Sequence, residues 1–432
     1  MKELFYILLS IPVFFLYFNF PINYFRIKKS FITYQVSYYD CILINIVINL
    51  NLLLILSFFS INFKHIFIAQ CLFSLFFIAL YFKDYFFFLK KNYIYLLFIF
   101  LFLFFLFIKI AANPSLTWDG LHWFYKTQTF YQGGSIQNLN TLPMNYYPHL
   151  GTYLWAFFWK NAFIEVEYFG RFFYIFFYVL TIASAVNFLS KNFTDLEKIM
   201  FFFLIIILTL DFFLLGGYQD YLLFCLFYFY SRFFLFYKND AEKKLSIFFL
   251  LFFSIQILLW TKQEGFFYSI FLFIIYFIHS KDIFSRKILS LIIIFVLFSL
   301  FYFIKVKFYG GIKFNHEIIH ADLINLLNID ILIHKLFFIT KYFFISFFKY
   351  PLWILIIISA YFLFNKKFLK DNIYFVSFAL LSFALVYAIY LQTSMNIEWL
   401  IPVTLSRILF AFSGFYLLIV VYFLNSLKKN SI

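Results

Sequence analysis

Long apolar runs separated by short polar gaps cover most of this 432-residue chain. A helix rises about 1.5 Å per residue, so a run of about 17–21 apolar residues crosses the ~30 Å hydrocarbon layer of a bilayer. Such runs lie near residues 4–20, 40–60, 66–82, 93–112, 168–190, 199–215, 221–237, 245–260, 265–279, 288–308, 349–365, 371–391 and 405–425. The pattern predicts an all-α fold, a polytopic transmembrane bundle of about 13 helices.

Basic residues cluster in alternate gaps between these runs, and cytoplasmic loops carry an excess of Lys and Arg. The clusters are Arg26/Lys28/Lys29, Lys83/Lys90/Lys91, Lys191/Lys198, Lys238/Lys243/Lys244, Lys281/Arg286/Lys287, Lys366/Lys367/Lys370 and Lys428/Lys429. All these clusters lie on the same side of the membrane if the chain starts outside and ends inside. We therefore predict a multi-pass inner-membrane protein, whose other set of loops faces the periplasm.

This arrangement requires that two further apolar stretches do not cross the membrane. The first, 147–161, is short and flanked by Pro148 and Lys160. The second, 323–347, is interrupted by Asn325, Asn328, Asp330, His334, Lys335 and Lys341. We predict both as helices in the outer interface. The alternative is that both cross and that the charge pattern is accidental.

Composition excludes a water-soluble globule. The chain is 65% hydrophobic and 12% charged, with a mean hydropathy of +0.93, whereas soluble domains carry roughly a quarter charged residues. The net charge of +15 reflects the basic gaps, so we expect no nucleic-acid partner. Cys41, Cys71 and Cys225 lie inside apolar runs, without disulfide or metal-ligand spacing. No cleavage site precedes Arg26, so the first run is expected to be a retained helix.

Nearly all unusual polar sequence falls in the predicted outer loops, which places the function on that face. These loops are 113–167, GGYQD (216–220), TKQEG (261–265), 309–328 and 392–407. In the first loop, Asp119 is either a catalytic acid or a helix N-cap. His122, three residues on, contacts substrate or is an ordinary interfacial histidine. Lys126 binds phosphate or extends its ammonium towards the membrane surface.

The later loops add further candidates. Asp220, after paired glycines, faces a cavity or caps a helix. Lys262 and Glu264 form either an ion pair or a phosphate-binding lysine with an orienting carboxylate. Arg407 follows Glu398 and lies just within an apolar run, where a charge points to function, and its guanidinium suits phosphate oxygens.

The order of these motifs resembles the GT-C membrane glycosyltransferases, in particular the aminoarabinose and protein-mannosyl transferase group. The first features are an acid after an outward-going helix, YPHL (147–150) before a short helix, and EVEYFGR (165–171). They are followed by a second acid, an EG turn that contains a lysine, and a late segment, 392–407, in which a Thr precedes Glu-Trp and an Arg follows. The resemblance spans residues 93–425. It divides the chain into a three-helix extension, 1–92, and a GT-C-like catalytic domain, 93–432.

The resemblance implies roles for the candidates. Asp119 is the general base, Asp220 assists, and Lys262 with Arg407 binds the phosphate of a polyprenyl-phosphate sugar donor. The remaining expected substrate contacts are His122, Lys126, Tyr147, His149, Glu264 and Glu398. The partners would be that donor, a glycan, lipid or protein acceptor, and membrane lipid.

Some features depart from the family or point elsewhere. Many members carry a second acid directly after the first, where this chain has Gly120. We expect no nucleotide cofactor, because no phosphate-cradling glycine loop is present. We also expect no metal, although His316, Glu317 and His320 have helical spacing, because a third ligand is missing. Acceptor recognition is expected from loops 113–167 and 309–347.

Two other classes stay open. A surface-polysaccharide polymerase or ligase would also act on the outer face, but its long outer loop usually carries several arginines. A transporter of lipid-linked substrate would place its polar sites near the bilayer midplane and show internal repeats.

Overall fold

The computed structural model describes residues 2–26, 36–116, 118–140, 142, 145, 147–189, 193–211, 216–239, 244–280, 282, 284–309, 328–364, 366–393 and 396–430. Within these ranges the chain forms 17 helical elements, 84% of it is helical, and no strand is present. The all-α prediction is therefore confirmed.

Contacts divide the chain into two compact units. The first unit comprises Met1–Pro143, His149–Cys225 and Leu424–Ile432, and the second comprises Met144–Pro148 and Leu226–Phe423. The α-helices, numbered in chain order, are α1 Lys2–Tyr17, α2 Tyr38–Leu56, α3 Phe63–Leu80, α4 Phe82–Ala112, α5 Trp118–Tyr131, α6 Leu150–Lys160, α7 Tyr168–Asn187, α8 Asp195–Thr209, α9 Asp220–Asn239, α10 Lys244–Thr261, α11 Gly265–His279, α12 Phe284–Phe308, α13 Ile329–Lys349, α14 Leu352–Leu363, α15 Lys366–Gln392 and α16 Ile397–Asn430.

The N-terminal helices are packed into the first unit by both apolar and polar contacts. Phe14 of α1 stacks on Phe176 of α7 with ring centroids 5.1 Å apart. Asp40 forms a capping box with Ser37 at the start of α2 and also accepts a 2.5 Å hydrogen bond from Ser184. Residues 1–92 thus share a compact unit with the segment that follows them. Their separate functional role as an extension stays a prediction.

Eight helices within the described ranges are long and apolar enough to cross a membrane. They are α2, α3, α4, α7, α12, α13, Lys370–Gln392 of α15 and Ile397–Lys428 of α16. Three apolar helices are shorter: Leu245–Thr261, Gly265–His279 and Leu352–Leu363. This composition is consistent with a multi-pass membrane protein, and the count of 13 crossings stays a prediction.

Helix α4 corrects one predicted boundary. The sequence placed Lys83, Lys90 and Lys91 in a gap before residue 93, but one helix runs through all 31 residues from Phe82 to Ala112. No Gly or Pro interrupts this stretch, and only Asn92 departs from helical geometry, with φ −114° and ψ 16°. A helix of this length spans about 46 Å, so its basic first turns can extend beyond the ~30 Å apolar layer.

The described part of 323–347 forms a helix, as predicted, and its position in the outer interface stays a prediction. Helix α13 is continuous for 21 residues, because none of its polar residues is a helix breaker, and it is one of the eight candidate spans. Asn328 caps it by accepting hydrogen bonds from the amides of Asp330 and Ile331. The Lys335 ammonium donates to the carbonyls of Leu391 and Thr393, at 3.0 and 2.9 Å. The lysine thereby satisfies carbonyl groups at the end of α15.

Helix α6 has the short length predicted from 147–161. Its 11 residues span about 16 Å, less than a bilayer. Leu150–Phe158 are all buried, because α6 packs against α5, α7 and α2. The short helix is thus as predicted, and its place in the outer interface stays a prediction.

Helix α16 also begins earlier than predicted. The run 405–425 is part of a 34-residue helix that starts at Ile397, so Glu398 lies in its first turn and Arg407 in its interior. Asn396 accepts a 2.9 Å hydrogen bond from the Glu398 amide and thereby starts the helix ahead of Pro402. The second half of the predicted loop 392–407 is consequently helical.

Candidate functional site

The starts of α5 and α9 approach each other closely in the first unit. Gly217, in the GGYQD turn, has a φ of +100°, a conformation that glycine adopts without strain. A Cβ atom at this position would lie 2.9 Å from Cη2 of Trp155 and 3.3 Å from Cα of Gly120. Only a residue without a side chain fits between these two neighbours. The backbone beside Asp119 and the turn before Asp220 therefore meet.

The two acids occupy equivalent positions, each in the first turn of a helix. Asp220 is 1% exposed and opens α9, where the helix N-terminus favours a negative charge. Asp119 lies in the first turn of α5, and its side chain is outside the described atoms. Asp119 is the second residue of α5, so it lies inside the first turn rather than at the N-cap position, and its catalytic role stays a prediction.

Gln219 is a buried residue that the sequence did not single out. Its side chain is 0% exposed and packs against Gly151, whose missing Cβ leaves room for the amide. Among the residues that the structure describes, neither the amide nitrogen nor the amide oxygen has a hydrogen-bond partner. A buried polar group without a partner costs roughly 1–3 kcal/mol, and such a group in a native fold calls for an explanation.

An ion pair holds the segment that precedes Asp119. Arg171, 1% exposed, contacts Glu167 through Nε and Nη2, both at 3.1 Å, and donates to the Pro114 carbonyl at 2.8 Å. Burial raises the pKa of Glu167, while the Arg171 charge opposes this rise. The EVEYFGR motif thus connects the start of α7 to the loop after α4. These long-range partners are not visible in the sequence.

Aromatic rings line the contact between α5 and α6. Trp159 stacks on Tyr131 at 3.9 Å and on Phe124 at 6.0 Å, and the Lys160 ammonium lies 4.2 Å from the Tyr131 centroid. Burial and the neighbouring Glu165 carboxylate raise the pKa of Tyr131, so its phenol stays protonated at neutral pH. The stacked rings thus fasten α5 to α6.

The other candidates of the first loop differ in exposure. His122 is half-buried. Lys126 is 1% exposed and lies 6.0 Å from the Trp123 ring, so its ammonium does not extend towards the membrane surface. His149 is fully buried, and its Nε2 lies 2.6 Å from Oγ of Ser57. This contact links the start of α6 to the end of α2.

In the second unit, Arg407 and Glu264, two of the predicted substrate-binding residues, lie near one tyrosine. The hydroxyl of Tyr390 bonds to Thr404 at 2.6 Å and lies within electrostatic range of both Glu264 and Arg407. Arg407 is 7% exposed and Lys262, two residues before Glu264, is 6% exposed. Two cations are thus buried at this end of the unit.

Three further side chains of the second unit bear on the candidate site. Lys349, which the sequence did not single out, donates a 3.3 Å hydrogen bond to Ser406. Glu398 is exposed and lies 4.0 Å from His334. Tyr147 is half-buried.

The candidate metal ligands His316, Glu317 and His320 lie outside the described residues. Among the residues that the structure does describe, no three His, Cys, Asp or Glu side chains are grouped as metal ligands.

No protein-family model, curated protein or solved structure matches this chain. In its described part the protein is all-helical and has several candidate membrane spans. Its first unit places two acidic helix starts together, and its second unit buries Lys262 and Arg407. The resemblance to GT-C transferases remains a prediction that depends on the sequence motifs.

Proposed function

We propose that this protein is a membrane glycosyltransferase that moves a sugar from a polyprenyl-phosphate donor to a glycan, lipid or protein acceptor. The close approach of Gly120 and Gly217 is the observation that carries the proposal, because it brings together the helix starts that hold Asp119 and Asp220. The basic gaps favour an active site on the periplasmic face of the inner membrane.

In the proposed reaction, the acceptor hydroxyl attacks the anomeric carbon of the donor. Asp119 accepts the hydroxyl proton as the new carbon–oxygen bond forms and the bond to the phosphate oxygen breaks. Inversion at that carbon follows from direct displacement. The polyprenyl phosphate leaves with its negative charge stabilised by Lys262 and Arg407. Buried cations suit this role because a low dielectric strengthens their attraction for an oxyanion.

Gln219, the residue before Asp220, is a candidate substrate-binding residue in this proposal. Its amide offers two donors and one acceptor oxygen, and none of them has a partner in the described part of the chain. A sugar or acceptor hydroxyl can both donate to and accept from such an amide. We propose that substrate hydroxyls supply the missing hydrogen bonds.

The proposed function is tested by mass spectrometry of glycans and lipids from cells with the intact gene and with a deletion. We expect one sugar mass to disappear from one acceptor in the deletion strain and to return on complementation. Shorter polysaccharide chains, with no specific sugar missing from any acceptor, would favour a polymerase or ligase. Accumulation of unchanged lipid-linked sugar on the inner leaflet would favour a transporter.

Replacing Gln219 with Met should weaken substrate binding without weakening the fold. The side chains are similar in size, and the substitution removes only polar atoms that have no partner, so the melting temperature should stay the same or rise. Loss of about 1.4 kcal/mol of substrate hydrogen bonding would raise KM about tenfold. Steady-state transfer assays and thermal melting in detergent measure the two effects.

Gln128→Met is the matched control, because Gln128 lies on the exposed face of α5. It should change neither KM nor the melting temperature. An unchanged KM in Gln219→Met would remove the substrate-binding role. A large fall in melting temperature would show instead that Gln219 has a structural function.

A further inference from the structure

The first unit contains a cavity of about 630 Å³ that the proposed reaction does not use. Its volume lies in the range of small-ligand sites, about 300–1,000 Å³. It is formed around the first turn of α2, the first part of α4 and the end of α7. The lining residues are Tyr24, Phe25, Ser37, Tyr38, Tyr39, Asp84, Phe87, Phe88, Lys91, Asn92, Tyr95 and Asn187.

The cavity is lined by one carboxylate, Asp84, and one ammonium group, Lys91. Asp84 and Lys91 lie seven residues, or two turns, apart on the same face of α4. Neither has an ion-pair or hydrogen-bond partner in the part of the chain that the structure describes. The Asp84 carboxylate would repel a purely anionic ligand, and the Lys91 ammonium would repel a purely cationic one. A ligand with both charges can pair with each.

Two tyrosines that line the cavity have buried hydroxyls. Tyr39 is 3% exposed and Tyr95 is 5% exposed, and their rings pack edge to face with centroids 5.8 Å apart. Neither hydroxyl makes a hydrogen bond to any residue that the structure describes. Two phenolic O–H groups with free donor capacity suit phosphate oxygens. They are thus a second feature, independent of the charges, that points to a polar ligand.

The position of the cavity favours a lipid source for this ligand. The neighbouring basic gaps around Arg26, Lys83 and Lys191 are all predicted to be at the inner membrane edge. The cavity therefore lies at the expected level of lipid headgroups. Helix α4 bends at Asn92, a residue of the lining, where the helix leaves regular geometry.

We propose that this cavity binds the phosphoethanolamine headgroup of an aminophospholipid. The ammonium pairs with Asp84, and the phosphate accepts hydrogen bonds from Lys91, Tyr39 and Tyr95. The flexible four-carbon stem of lysine allows Lys91 to reach a phosphate held between the tyrosines. This site lies on the predicted side opposite to Asp119 and does not depend on the proposed transferase activity.

The test uses the purified full chain in detergent micelles. Phosphatidylethanolamine should raise the melting temperature of the wild type by about 2–4 °C more than phosphatidylglycerol or phosphatidylcholine does. Phosphatidylcholine has a quaternary ammonium that cannot donate to Asp84. Native mass spectrometry should show phosphatidylethanolamine retained in preference to the other lipids.

Variants then assign the effect to the cavity. Asp84→Asn and Lys91→Gln should each reduce the phosphatidylethanolamine preference about tenfold. Lys90→Gln is the matched control, because Lys90 is exposed on the same helix and does not line the cavity. Tyr95→Phe removes a partnerless hydroxyl, so it should leave the lipid-free melting temperature unchanged or higher while reducing the lipid-induced shift.

Equal stabilisation of the wild type by all three lipids would overturn the proposal. Full lipid preference in an Asp84→Asn, Lys91→Gln double variant would overturn it as well. O-phosphoethanolamine, added without acyl chains, distinguishes the source of the headgroup. A shift with this soluble compound but none with the lipid would refute a phospholipid ligand.

Discussion

Replacing Asp119 with Asn should abolish sugar transfer while leaving the helices folded. The substitution keeps the size of the side chain but removes the carboxylate that accepts the acceptor proton. General-base catalysis contributes about 10²–10⁴-fold, so kcat should fall by at least about two orders of magnitude. Purified variants can be assayed with a polyprenyl-phosphate sugar and the acceptor identified by glycan profiling. Thermal melting in detergent reports folding.

Asp195→Asn is the control that separates catalysis from helix capping. Asp195 is also an acid in the first turn of a helix, and it is exposed at the start of α8. Loss of a charge near a helix N-terminus costs about 0.3–1 kcal/mol, and both variants should show it. Only Asp119→Asn should lose transfer. Wild-type kcat in Asp119→Asn would refute the base assignment.

Replacing Arg171 with Gln should cause the largest loss of stability. Arg171 is 1% exposed, and its removal leaves Glu167 buried without its counter-charge and the Pro114 carbonyl without its donor. Breaking a buried pair from one side costs about 3–5 kcal/mol. The melting temperature should fall by several degrees. Transfer should fall too, because the segment before Asp119 loses an anchor.

A second variant tests whether the unpaired charge is the cause. In Glu167→Gln, Arg171→Met, both charges are absent, so stability should recover in part. Lys428→Gln removes a partly exposed partner of Glu197, with 29% of the lysine side chain exposed, and should cost much less than Arg171→Gln, because solvent screens an exposed pair. Equal melting temperatures for Arg171→Gln and Lys428→Gln would contradict the structural role of the buried pair.

Local properties of the sequence account for the predictions that the structure confirms. The all-α class follows from apolar runs of helical length that contain few glycines and prolines. The same reasoning failed where Lys83, Lys90 and Lys91 were taken as a gap, because one helix, α4, runs through all three. In α13, Asn328 caps the helix and Lys335 binds the carbonyls at the end of α15, and these partners are not visible in the sequence.

The candidate site shows a similar division. Asp220 and the glycines before it were visible as a motif, whereas Gln219 was not, because its defining property is the lack of a partner in the packed state. His149 was expected to contact substrate, and its contact with Ser57 depends on residues 92 positions away. Sequence spacing does not reveal such neighbours.

Apolar runs of helical length were enough to predict the helical class, because hydrophobic periodicity acts over a few turns of one helix. The approach of Gly217 to Gly120 and the packing of Gln219 against Gly151 could be seen only in the folded chain. The same holds for the cavity that Tyr39 and Tyr95 share. These contacts depend on how distant helices pack, and packing is set by the shapes of many side chains together.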